Sequence, residues 1–266
     1  MAAFSASEGK MRRIVLIIEY DGTNYVGWQI QPNGISVQQV ICSALKRLTG
    51  EEVSLHASGR TDSGVHAHAQ TAHFDTESRI PADKFCFALN TFLPPDIRLR
   101  ASFEAPAVNG AEFHSRFCVK RKHYRYTVLN APHNSAFTRN TALHIHAKLD
   151  IKRLNEAAGF FLGTHDFAAF KAAGSKTATT ERTIYKSVWT KCGNYLYYDV
   201  AGSGFLYNMV RIMVGTMLRI GMGYESPDSV KHALEFPVRD NAGDTAPAHG
   251  LMLYRVEYDD FDTDDF

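Results

Sequence analysis

Between Arg13 and Phe103 the apolar residues change period in a fixed order, and few folds accept that order. Arg13–Tyr20 is a β-branched apolar run and reads as a strand. Val37, Val40, Ile41, Ala44, Leu45 and Leu48 then recur at helical spacing, which predicts a helix over Ser36–Thr49. Ser36 and Gln39 supply a capping box at its start, and Gly50 stops it. Glu52–Ser58 and Ala67–Asp75 return to strand character. Pro81 opens a second helix, at the position where its missing N–H costs nothing. Phe85, Ala88, Leu89 and Phe92 share a face of that helix, and Pro94-Pro95 ends it. Ile97, Leu99, Ala101 and Phe103 alternate as a fourth strand. The pattern is β-α-β-β-α-β, that of a ferredoxin-like unit.

A looser version of the same plan follows. His123–Leu129 is a strand and Leu143–His146 a short extra one. Asp150–Leu162 is a helix whose face carries Leu154, Ala157, Ala158 and Phe161. Arg182–Lys191 and Tyr195–Ala201 are strands turned by Gly193-Asn194. Phe205–Ile220 and Pro227–Phe236 are helices, and Gly250–Tyr258 is the closing strand. The expectation is an α+β chain of two ferredoxin-like halves, 11–108 and 109–258, whose antiparallel sheets join around a central cleft. Residues 1–10 and 259–266 read as flexible ends, and Lys171–Thr180 as a mobile or RNA-touching polar loop.

Charge adds a hint about partners. The net charge is +1, but Asp259, Asp260, Asp262, Asp264 and Asp265 crowd the C-terminal tail. Without them 29 bases face 23 acids, a net +6. The run Lys120-Arg121-Lys122-His123-Tyr124-Arg125-Tyr126 interleaves cations with aromatics, which suits phosphate contact and base stacking. A solvated edge strand protected by charge has the same composition. Residues 1–10 lack the apolar core of a signal peptide, and no run approaches the length of a membrane span. Cys42, Cys86, Cys118 and Cys192 are scattered, as expected of free buried thiols in a reducing cytoplasm. The histidines have no cysteine partner at ligand spacing, which argues against zinc. No glycine-rich phosphate loop, dinucleotide fingerprint or G-x-S-x-G elbow is present, so no motif implies a cofactor.

Two places hold residues that could carry chemistry, although an exposed hairpin tip would account for the first and a structural ion pair for the second. In Ser58-Gly59-Arg60-Thr61-Asp62-Ser63-Gly64-Val65-His66-Ala67, a turn bracketed by glycines lifts Asp62 clear of its strands, with Arg60 beside it. A guanidinium next to a carboxylate favours the charged form, fit to act as a nucleophile or base. The second is Arg211, inside the apolar segment Phe205–Gly215. A buried guanidinium needs a partner. Asp62 is one candidate; Asp166 and Glu181 are others. Tyr124 could stack on a base and shuttle a proton, or it could pack with Tyr126 in the core.

These blocks occur together with others in one order. They are Tyr20-Asp21-Gly22-Thr23 through Gly27-Trp28-Gln29, Leu89-Asn90 with Leu93-Pro94-Pro95-Asp96-Ile97, Phe113-His114-Ser115-Arg116, Tyr124-Arg125-Tyr126, His165-Asp166-Phe167, Phe205-Leu206 with Met209-Val210-Arg211, and Gly250-Leu251. From about residue 13 to 258 the chain resembles tRNA pseudouridine synthase A, a bacterial family acting on the tRNA anticodon stem-loop. The resemblance implies isomerisation of uridine to pseudouridine at tRNA positions 38 to 40, without cofactor, by a homodimer. It makes Asp62 the catalytic aspartate, Arg60 the arginine that helps extrude the base, Tyr124 the stacking tyrosine and Arg211 the partner of the aspartate. Asn208 stands where some members have histidine, and Ser63 where others have alanine. Lys120, Arg121, Lys122, Arg125 and Leu251 are expected to bind substrate with Arg60 and Tyr124. Attack at C6 of the ring and action at the sugar both stay open. A non-catalytic RNA-binding module would need neither Asp62 nor a buried Arg211. A glycosidic hydrolase usually pairs two carboxylates, where this motif offers one.

Overall fold

The computed structural model describes residues 11–108, 111–174 and 177–266, and it places them around one long sheet. The expected flexible segment 1–10, the start of the second half at 109–110 and the middle of the Lys171–Thr180 loop lie outside the described residues. β1 (Arg12–Tyr20) runs through the middle of the first half, between β3 (His66–Thr76) and β4 (Ile97–Glu104). Ile14 through Ile18 are each fully buried, so this strand is covered on both faces, and its continuous apolar run follows from that. α1 (Val37–Thr49) packs Val37, Ile41, Ala44 and Leu45 inward. The Ser36 hydroxyl accepts from the Gln39 amide, and Gly50 closes the helix in the left-handed region at φ +78°.

Of the expected strand Glu52–Ser58, only β2 (His56–Ala57) pairs, against β3. Upstream, the Leu55 carbonyl is taken by the Gln38 side chain, so the backbone there bonds to a helix and not to a ladder. α2 (Phe85–Asn90) is also shorter than expected. It buries Phe85 and Leu89, but Phe92 lies beyond its end, exposed beneath the Arg47 guanidinium at 4.5 Å. The short pair β5 (Ala107–Val108) and β6 (Ala111–Glu112) leads to the second half.

There, β7 (Arg121–Asn130) pairs antiparallel with β11 (Tyr195–Gly202), which pairs with β10 (Glu181–Cys192). β8 (Leu143–Ile145) and β9 (Gly163–Asp166) extend the edges. α3 (Ile151–Gly159) buries Leu154, Ala157 and Ala158. α4 (Met209–Gly221) is buried nearly all round, and α5 (Asp228–Glu235) follows it. α4 starts later than expected. Asn208 takes a left-handed φ of +59° just before it, so Phe205 to Tyr207 stand outside the helix.

β12 (Leu251–Glu257) joins the halves: it lies parallel to β3 and antiparallel to β7. The sheet order is β4-β1-β3-β12-β7-β11-β10-β9, mixed α/β with mostly antiparallel pairing and, among the described residues, five α-helices. The acidic tail is not a free end. Phe261 packs on Tyr258 and Phe103, Phe266 stacks on Phe103 at 5.0 Å, and Asp262 pairs with Arg255. The aromatics among the acids give the tail an apolar face to dock, which composition alone conceals. All four cysteines are free thiols, but only Cys86 is buried, and Cys192 is exposed. Among the described residues no helix is long and apolar enough to cross a membrane.

Candidate active site

The segment between β2 and β3 carries Asp62, and its backbone is tied down at each end. The Trp28 amide donates to the Thr61 carbonyl at 3.1 Å, and the Gly64 amide to the Tyr25 carbonyl at 3.3 Å. The Val65 amide closes the turn onto the Asp62 carbonyl at 3.1 Å. Gly64 has φ +76°, so a glycine is needed there. Gly59 does not have a positive φ, contrary to the expectation that both glycines are conformational; a side chain approaches it closely instead. The hydroxyls of Tyr20 and Thr61 share a buried hydrogen bond at 2.7 Å. Gln70, fully buried, accepts from the Ser58 hydroxyl and donates to the Gly59 carbonyl. His66 accepts the Gly22 amide at Nδ1, and its Nε2 faces the Asn140 and His249 carbonyls. A ring held on both nitrogens in this way is a brace.

Arg211 reaches Asp62 from the other half. Its Nη1 lies 3.5 Å from Oδ2 of Asp62, which selects Asp62 over Asp166 and Glu181 as its acidic partner. Two neutral acceptors complete the guanidinium's setting: Nε donates to the Ala246 carbonyl at 2.7 Å, and Nη1 to Oδ1 of Asn208 at 2.9 Å. The left-handed turn at Asn208 therefore aims an acceptor at Arg211. Burial raises the Asp62 carboxyl above its ordinary range, and Arg211 pulls in the opposite direction without cancelling it. This corrects the expectation that Arg60 holds Asp62 charged. Arg60 is exposed and makes no hydrogen bond or ion pair with a described residue.

Alternation along β7 sorts the expected substrate-binding residues between two faces. Tyr124 and Tyr126 point to the Asp62 side, where Tyr124 meets Phe205 edge-on at 5.1 Å. Burial, then the charges of Tyr20 and Asp62, raise the Tyr124 phenol. It is protonated at neutral pH, so it can stack and donate, whereas acting as a base would need a phenolate that this setting disfavours. Leu251 sits opposite Tyr126 on the same face, buried in the floor. Lys122 also points this way, and its Nζ donates to the Ser58 carbonyl at 2.5 Å.

Arg125 faces the other side of the sheet. It forms a bidentate pair with Asp199 and covers the Tyr254 ring at 4.4 Å. Arg121 lies over Tyr185 on that side, and Lys120 pairs with Asp259 of the tail. These three cations are already engaged away from Asp62: Arg121 and Arg125 because a strand presents only alternate residues to one face, and Lys120, which precedes β7, because the tail holds it. Sequence reasoning missed the Tyr20–Thr61 bond, Gln70 and the Ala246 carbonyl. A single polar residue in a buried strand, such as Gln70, is the one signal that could have found them.

A cation and a lone carboxylate from different halves, beside a buried tyrosine and an exposed arginine, can act on an extruded base. The comparisons agree with this two-part construction. The family model described as tRNA pseudouridine synthase matches residues 16–118 and 157–259, once in each half. A protein of Ruminiclostridium cellulolyticum named tRNA pseudouridine synthase A is 48% identical over 249 residues, 93% of this chain and 100% of its own. Relatives of the same name from Acetivibrio thermocellus and Geotalea uraniireducens are 47% and 48% identical over 248 residues, again 93% of this chain and all of theirs. With both halves matched and these relatives aligned along their full length, the chain belongs to the tRNA pseudouridine synthase family.

Proposed function

We propose that this protein isomerises uridine to pseudouridine in tRNA, with Asp62 as the catalytic carboxylate, at positions 38 to 40 of the anticodon stem-loop. In this reaction the N1–C1′ bond breaks, the uracil turns in place and C5 bonds to C1′; the C5 proton is released and N1 takes up a proton from solvent. No redox partner is needed, because the product is an isomer of the substrate. The observation that carries the reading is the cross-half pair of Asp62 and Arg211 at 3.5 Å. Arg211 keeps Asp62 oriented and favours its carboxylate against the cost of burial. The target base must leave its stack to reach Asp62. Tyr124 then offers a ring face against the uracil, and exposed Arg60 stands where it can hold the vacated place in the RNA. Targets at adjacent positions imply recognition of tRNA shape and backbone more than base sequence. We read each half as a ferredoxin-like unit, supported by the matching orders β4-β1-β3-β2 and β12-β7-β11-β10. A homodimer that shares one tRNA completes the proposal.

The test is tritium release from tRNA labelled at C5 of uridine, with wild type and Asp62→Asn side by side. Wild type should release label and retain the base in the RNA, while Asp62→Asn binds tRNA without release. Free uracil in solution would point to hydrolysis, and full activity of Asp62→Asn would overturn the assignment.

A further inference from the structure

The amine of Lys122 lies against the start of the segment that carries Asp62. It donates to the Ser58 carbonyl at 2.5 Å. A methyl group on Gly59 would come within 2.8 Å of the same nitrogen, and it would meet no backbone atom within 4 Å. Gly59 therefore makes room for the lysine. From the other side of this peptide, Gln70 binds the Ser58 hydroxyl at 2.6 Å and the Gly59 carbonyl at 2.8 Å. Residues 58 and 59 are thus gripped by β3 of the first half and β7 of the second. Burial, with Arg116 and Arg182 nearby, lowers the amine to about 8, so Lys122 still carries its proton at neutral pH. A lysine placed for RNA would present its amine to solvent, where a phosphate could replace water. This one spends its amine on a backbone carbonyl four residues before Asp62.

We infer that Lys122 is a positioning residue which clamps the Ser58–Gly59 peptide and thereby fixes Asp62 for reaction, and that it does not bind the tRNA backbone. This rests on Asp62 being the catalytic carboxylate. Without the clamp the segment is held at residue 58 from one half only, and Asp62 drifts relative to Arg211. By sequence Lys122 belongs with the phosphate-binding cations of its run; its bond to the Ser58 carbonyl separates it from them.

Three variants test this: Lys122→Met, Gly59→Ala and the double substitution. Single-turnover tritium release gives the rate, and filter binding across a salt series gives tRNA affinity and its salt slope. The rate should fall roughly 10- to 100-fold in either single variant, as expected for a misplacement on the order of 1 Å. Affinity and salt slope should not change. The double variant should be no slower than the slower single one, because both remove the same contact. Gly59→Ala keeps the lysine and displaces only the end of a flexible side chain, so it tests the clamp even if Lys122→Met folds poorly. A retained rate in Lys122→Met, with weaker binding and a salt slope shallower by about 1, would make Lys122 a phosphate contact and overturn the inference. A retained rate in Gly59→Ala would overturn it as well. Loss of activity in Asp62→Asn, run in the same assay, separates failure of the clamp from failure of the catalytic assignment.

Discussion

Substituting Gly27 by alanine should damage catalysis more than its distance in sequence from Asp62 suggests. Gly27 has φ +104°, and a Cβ there would lie 2.6 Å from the Thr61 carbonyl oxygen, 3.1 Å from the Asp62 carbonyl carbon and 3.2 Å from the Ser63 amide nitrogen. All three are backbone atoms, so no rotamer change relieves the contact. Separating 2.6 Å to an ordinary 3.4 Å moves the Asp62 segment by about 0.8 Å. It also strains the bond from the Trp28 amide to the Thr61 carbonyl. The left-handed backbone costs roughly 1–2 kcal/mol and the forced contact roughly 1–3 kcal/mol more. Gly50→Ala is the control: Gly50 has φ +78° but nothing lies within 4 Å of its Cβ position, so only the backbone term applies. Urea denaturation should place Gly27→Ala about 1–3 kcal/mol below Gly50→Ala. Turnover measured by tritium release should fall on the order of 100-fold for Gly27→Ala alone, because a shift near 1 Å misaligns a reacting group. Equal turnover in the two variants would show that Asp62 is not positioned through this contact, and the account of the loop would be wrong.

Asp62→Asn should abolish turnover yet melt no lower than wild type. The folded-state carboxyl is raised, so the group favours folding only at acid pH, and that contribution is lost as pH rises through its folded pKa. A lower melting temperature at neutral pH would contradict this. His73 supplies the opposite case. Its Nδ1 accepts the Ser115 amide, and burial with Arg13, His114 and His56 facing it lowers the imidazole to about 3, while Asp75 opposes the shift. A base depressed from 6.5 stabilises above that value and loses the contribution as pH falls, so stability should drop by about 2 kcal/mol between about pH 7 and pH 5. Urea melts of wild type and His73→Gln at both pH values check it; parallel losses would refute it. Arg60→Ala should reduce the salt slope of tRNA binding by about 1, whereas Arg125→Ala should leave it unchanged, since Arg125 is held by Asp199 on the opposite face. Equal slopes for the two variants would reverse that sorting.

Periodic segments were legible because burial imposes their spacing. β1, α1 and α3 lie within a few residues of their expected spans, since each buries a face that only its own period can supply. What failed was set by side chains reaching from elsewhere. Gln38 takes the Leu55 carbonyl and leaves β2 two residues long. Asn208 turns left-handed to serve Arg211 and delays α4. The tail was misread because its charges outnumber its aromatics, although Phe261 and Phe266 decide where it lies. In the site, Asp62 stood out by its turn and Arg211 by being a cation in an apolar helix. The cationic run misled because composition does not say which residues of a strand share a face. Lys122 and Arg125 differ by three positions, and that odd difference puts one against the Ser58 carbonyl and the other against Asp199.

The way the site is divided between the halves bears on when it can form. Asp62, Tyr20 and Gln70 come from the first half; Arg211, Lys122 and Tyr124 come from the second. β12 is the last strand of the second half in sequence, yet it lies between β3 and β7, and among the described residues it alone bridges them in the sheet. Until it is in place, the first half can build the turn but not load it with a cation. Asp62 would then be solvated and near its ordinary pKa. Assembly of the sheet buries the carboxylate and supplies Arg211 in the same step, so the cost of desolvation is met where the compensating charge arrives. A site built this way has little activity in either half alone, because the carboxylate and the cation that orients it never share one half.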